Sequence, residues 1–117
     1  YKMKKVAIPV FEGKLSEFFG KCENYAIFEL NDGNIINEKN LASKNIKTDK
    51  LPEWITEEGI TDVIVYKMNK KIIQLFNNSK VNIFVGVSID TPQKLISKYL
   101  NGNLKSDDTI IKEIINH

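Results

Sequence analysis

At 117 residues, 42% of them hydrophobic, the chain is long enough to bury a core without disulfides or a structural metal and fits one domain. Its net charge of +2 is small, and its 17 basic residues are all lysines scattered along the chain, so the basic stripe and the bidentate arginine fork of a nucleic-acid reader are both missing. A single cysteine excludes an internal disulfide framework, no apolar run nears the roughly 18 residues of a membrane helix, and no leader pattern opens the chain. The expectation is a soluble cytoplasmic protein with neither nucleic acid nor membrane as partner.

In chain order, the apolar run VAIPV within residues 4–10 predicts a buried strand that Pro9, lacking a ladder donor, should end. Residues 11–22 form a structured loop that crowds together Glu12-Gly13, Ser16, the pair Phe18-Phe19, Gly20 and the sole cysteine, Cys22. Residues 25–30 alternate, with Ala26, Phe28 and Leu30 on one face and Tyr25, Ile27 and Glu29 on the other, which reads as a second strand. Asp32-Gly33 is a strong hairpin signal, so a third strand over 35–40 should return antiparallel, followed by a loop over 41–49.

The second half changes rhythm. Thr48 or Asp49 can cap a helix through Ile55, with Pro52 in its first turn and Gly59 at its end. Residues 62–66, DVIVY, read as a buried strand. A helix follows from Asn69, with Ile72, Ile73, Leu75 and Phe76 on its apolar face and Asn77-Asn78 closing it. Residues 81–87 supply the last strand, and Asp90-Thr91-Pro92 caps a helix that buries Leu95, Ile96, Tyr99 and Leu100 before Gly102. Ser106 or Asp107 can open a final amphipathic helix through Ile110, Ile111, Ile114 and Ile115. The order β-β-β-α-β-α-β-α, plus that terminal helix, predicts an α/β fold with a mixed five-stranded sheet, parallel in part and carrying an antiparallel hairpin on one edge. Ligands of such sheets sit beyond the carboxyl ends of the parallel strands, where residues 11–22, 66–69 and 86–90 should meet.

The succession VAIPV, Glu12-Gly13, Ser16-x-x-Phe19-Gly20-Lys21-Cys22-x-x-Tyr25, an IFEL strand, a DGNI hairpin, Leu51-Pro52, GITDVI at 59–64, VNIFVG at 81–86 and the closing YLNGNL at 99–104 resembles the dinitrogenase iron-molybdenum cofactor biosynthesis family, of the nitrogenase accessory factor-like kind. The resemblance spans residues 4–104. It implies a ribonuclease-H-like motif and a non-catalytic role in carrying or storing iron-sulfur or iron-molybdenum cofactor precursors. By the same resemblance the cofactor-binding candidates are Ser16, Phe18, Gly20, Cys22 and Met68, with Cys22 as metal ligand. Cluster-carrying members typically have a histidine where this chain has Phe18. Many relatives carry further histidines where residues 45–50 stand here, and a Gly-rich segment where this chain has Tyr66-Lys67-Met68-Asn69.

Taken residue by residue, Cys22 can present a thiolate, but one thiol needs further donors from Met68, Glu12, exogenous thiols or a second subunit. As a lone cysteine it also reads as a small buried apolar residue. The one histidine, His117, is terminal. Phe11, Phe18 and Phe19 line an apolar mouth or plug the core. Gly13 and Gly20, with Lys14, Lys21 and Lys67 nearby, serve turn geometry or hold a small anion. Enzymatic chemistry is not expected. The first strand offers no carboxylate to a two-metal nuclease, no nucleophile–base pair or Gly-x-Ser-x-Gly elbow is present, and Walker and dinucleotide fingerprints are absent. Two readings remain: a carrier holding a metal cluster or small anion in the loop over 16–22, or an interaction or regulatory module, acting as a homodimer or with a protein partner, that keeps the fold without the ligand site.

Overall fold

Strand β3 (Asn24–Asn31) shows how the alternation builds the layers. Tyr25 and Ile27 are buried in one apolar cluster, and Ala26, Phe28 and Leu30 in another, as a side-chain period of two requires. Strand β1 (Met3–Phe11) divides in the same way, with Ala7 on the first side and Val6, Ile8 and Val10 on the second. The computed structural model, which describes residues 3–17, 19, 22–42, 50–68, 70–77 and 81–105, is thus a central sheet between two apolar layers.

The other strands are β2 (Lys14–Leu15), β4 (Asn34–Ala42), β5 (Asp62–Ile64) and β6 (Asn82–Phe84). Their order is β4-β3-β1-β5-β6, with β2 paired to β1. β1, β5 and β6 run parallel, and β3 is antiparallel to both β1 and β4. The expected mixed sheet with an antiparallel hairpin edge is therefore present, with β2 as an additional short strand. Helices α1 (Leu51–Glu57) and α2 (Lys70–Asn77) deliver Leu51, Ile55, Ile72 and Phe76 to the cluster of Ala7. Helix α3 (Pro92–Leu100) delivers Leu95 and Ile96 to the opposite one.

Several expectations are corrected. Pro9 does not end β1; it lies inside it, opposite Tyr25. Its carbonyl accepts the Ser16 N–H at 2.8 Å. A residue's donor and acceptor share one side of a strand, so the missing N–H faces away from β3, where the parallel ladder to β5 has already stopped at Ala7. The loop over 11–22 contains a second tight hairpin. Glu12 (φ 52°) and Gly13 (φ 79°) repeat the left-handed pair Asp32 (φ 53°) and Gly33 (φ 83°), the signature of a type I′ turn.

Strands β5 and β6 are shorter than the apolar runs 62–66 and 81–87, because Val65, Tyr66, Val85 and Val87 continue into the loops at the strand ends. The first and third helices end before Gly59 and Gly102, as expected. Lys50 is the N-cap of α1 and makes no side-chain capping bond. Thr91 caps α3 as expected, its side chain accepting the Lys94 N–H at 3.4 Å. The expected caps Thr48, Asp49 and Asn69, the closing Asn78, and the terminal helix over 106–117 lie outside the described residues.

Candidate functional site

The three segments expected beyond the carboxyl ends of the parallel strands do meet, and backbone bonds join them. The Phe19 N–H donates to the Lys67 carbonyl at 3.2 Å and the Lys67 N–H to the Glu17 carbonyl at 3.1 Å. The Leu15 N–H donates to the Asp90 carbonyl at 3.0 Å, and the Gly86 N–H to the Tyr66 carbonyl at 3.0 Å. Main-chain pairing of this kind fixes the loops without calling on their side chains.

On the α1/α2 side of this end the loop is anchored by an aromatic plug. Phe19 is 5% exposed and meets Tyr25 and Phe76 edge-on, with ring centroids at 5.7 and 5.6 Å. Met68 belongs to the same cluster at 2% exposure, so its thioether is sealed in the core and faces no ligand. Cys22 forms no disulfide and is a half-buried side chain packed against that cluster. Ser16 is buried, its N–H taken by Pro9. Of the five candidate positions, the structure brings Cys22 and Met68 to one cluster and sets Ser16 on a different surface, described next; Phe18 and Gly20 lie outside the described residues.

That other surface is an open groove of about 550 Å³ between the β1–β2 hairpin and the loop before α3, lined by Phe11, Glu12, Lys14, Leu15, Ser16, Glu17 and Ile89. Phe11 is 49% and Ile89 40% exposed, an unusual pair of large apolar side chains at one rim. Among the described residues, the side chains of Glu12, Lys14 and Glu17 have no ion pair or hydrogen bond. Sequence reasoning passed over Ile89. The available signal was an apolar residue directly ahead of the Asp90-Thr91-Pro92 helix start, where a loop has no core to fill.

The donor set for a metal is thin. Among the described residues no three His, Cys, Asp or Glu side chains gather closely enough to hold an ion. Among the described residues of this loop end, Cys22 is the soft donor that is not enclosed, since Met68 is sealed in the core. A resident iron-sulfur or iron-molybdenum cluster needs several thiolate or imidazole donors, and the residues present do not fit one.

The opposite end of the sheet is built differently. Asp62, 1% exposed at the start of β5, accepts the Tyr99 O–H at 2.7 Å, and Lys4 Nζ stands 3.8 Å from its other oxygen. Burial, with the hydrogen bond and charge of Asp62 adding to it, pushes the Tyr99 hydroxyl well above the ordinary tyrosine range.

Residues 2–102 match the family model described as dinitrogenase iron-molybdenum cofactor. An uncharacterised protein of Methanocaldococcus jannaschii is 28% identical over 111 residues, which is 89% of this chain and 92% of that protein. The crystal structure of PH0822 superposes with a TM-score of 0.81 at 23% identity, covering 88% of this chain and 94% of that one. The apo form of the orange protein from Desulfovibrio gigas gives a TM-score of 0.73 at 11% identity, covering 91% and 94%. At these identities the two structures establish the shared fold and nothing further. Among the described residues, no helix is long and apolar enough to cross a membrane.

Proposed function

The chain belongs to the dinitrogenase iron-molybdenum cofactor family, and from that premise we propose that it is a non-catalytic accessory domain that engages another protein through the loop end of its sheet. The family relates it to small accessory domains of iron-molybdenum cofactor biosynthesis. The observation that carries the reading is the groove itself: exposed Phe11 and Ile89 beside the charges of Glu12, Lys14 and Glu17, which are unpaired among the described residues, on segments held by main-chain bonds. Exposed apolar side chains rimmed by charge mark contact surfaces. The strand order β4-β3-β1-β5-β6 supports the ribonuclease-H-like class, and a sequence with a single cysteine is in keeping with a reducing, cytoplasmic setting.

A second reading, cluster carriage, is favoured by one observation, the half-buried Cys22 thiol packed against the cluster that holds Phe19. In that reading Cys22 would be the protein's ligand, and the remaining donors would come from exogenous thiols or a second subunit. Anaerobic incubation with iron and sulfide followed by desalting separates the two. The partner reading expects colourless protein whose residual iron equals that of a Cys22→Ala variant. Retained iron with visible charge-transfer absorbance that Cys22→Ala abolishes establishes the carrier instead.

A further inference from the structure

We propose that the groove between the β1–β2 hairpin and the loop before α3 takes a basic, aliphatic peptide segment of a partner protein. Its apolar side chain packs against Phe11 and Ile89, and its cations face Glu12 and Glu17. This rests on the reading above that the loop end engages a protein, and it names the kind of segment that binds there.

Three observations lead to it. The two exposed apolar side chains belong to different segments, the end of β1 and the loop before α3, yet line one groove together with the buried Leu15. That arrangement receives a single aliphatic side chain better than a flat surface would. The charge balance of the lining is two carboxylates to one ammonium, and none of the three is paired within the described fold. Cations are therefore preferred over anions there. The neighbouring charges lie outside the lining: Lys94 and Lys98 share the Asp90 carboxylate at 3.9 and 4.0 Å, Lys67 lies over the Tyr66 ring at 5.5 Å, and the Glu23 carboxylate accepts the Glu12 N–H at 2.7 Å.

The groove is also preformed. The hairpin turn is type I′, and the Leu15 N–H to Asp90 carbonyl bond ties the two walls together at 3.0 Å. A partner segment would meet it without reordering the loops, which removes part of the entropic cost of binding.

The test is an amide chemical-shift titration of the isotopically labelled protein with the probe acetyl-Lys-Leu-Lys-amide, beside acetyl-Lys-Ser-Lys-amide and acetyl-Glu-Leu-Glu-amide. The expected result is saturable shifts confined to residues 11–17 and 88–90 with the first peptide. Binding should weaken about tenfold with the serine peptide or in Phe11→Ala, and about threefold in Glu12→Gln/Glu17→Gln. The variants' own spectra report that they are folded. Equal response to the acidic peptide, shifts scattered over the surface, or no shift overturns the proposal. So do groove shifts that follow protein concentration without peptide, which assign the groove to a second copy. A failed titration on protein that stays colourless after iron treatment removes the basic peptide and leaves the partner reading standing; iron retention removes that reading itself.

Discussion

The two ends of the sheet hold themselves together by different means. At the amino ends of the parallel strands side chains add to the main-chain bonds from Thr61 to Lys5 and from Asn82 to Thr61. Lys5 Nζ donates to the Glu58 carbonyl at 2.6 Å and stands 3.9 Å from Glu29. The Thr61 hydroxyl accepts the Lys5 N–H at 3.0 Å, and the Tyr99 hydroxyl reaches buried Asp62 at 2.7 Å. At the carboxyl ends main-chain bonds among Leu15, Glu17, Phe19, Lys67 and Asp90 predominate, with the Glu23 carboxylate accepting the Glu12 N–H at 2.7 Å, while the side chains of Glu12, Lys14 and Glu17 pair with nothing among the described residues. Charged side chains a fold does not use are free to recognise something else. The contrast supports the proposed reading of the loop end as the working end and the other as the clamp.

The comparison breaks most severely at Phe19, which sits in the loop yet serves the core. Phe19→Ala should cost about 3–5 kcal/mol, because it removes a buried ring that two other rings pack against; chemical denaturation measures it. At the clamp, Tyr99→Phe should cost about 2 kcal/mol, the scale of a hydrogen bond to a charged, buried acceptor. The same pair sharpens the contrast through pH. Tyr99 keeps its proton in the fold beyond the alkaline range where an unfolded tyrosine gives its own up. Unfolding then releases a proton, so this contribution to stability is present below the ordinary tyrosine value of 10.0 and is lost progressively above it. Denaturation midpoints measured across that range should fall less steeply in Tyr99→Phe than in the wild type.

Much of the fold was legible because local rules and tertiary packing agree. Tyr25 to Leu30 alternate in sequence and divide between the two clusters in space, Asp32-Gly33 makes its turn, and Thr91 caps its helix. Strand lengths were overread, since the runs ending in Tyr66 and Val87 report burial, which loops at a sheet end can share without extending the ladder. The meeting of the three loops followed from the parallel strands. What lies within them did not, because Met68 is sealed by packing from α2 and from Phe19 that its own neighbours in sequence do not reveal. The groove, too, depends on a hairpin turn bringing Phe11 beside Ile89, a proximity no spacing rule encodes.

The smallest expected effect is the most direct test of the claim that the loop-end charges serve recognition and not the fold. The combined variant Glu12→Gln/Lys14→Gln/Glu17→Gln should unfold in urea with a stability within about 0.5 kcal/mol of the wild type. A loss as large as that of Tyr99→Phe would contradict the account, since it would make those groups part of the scaffold.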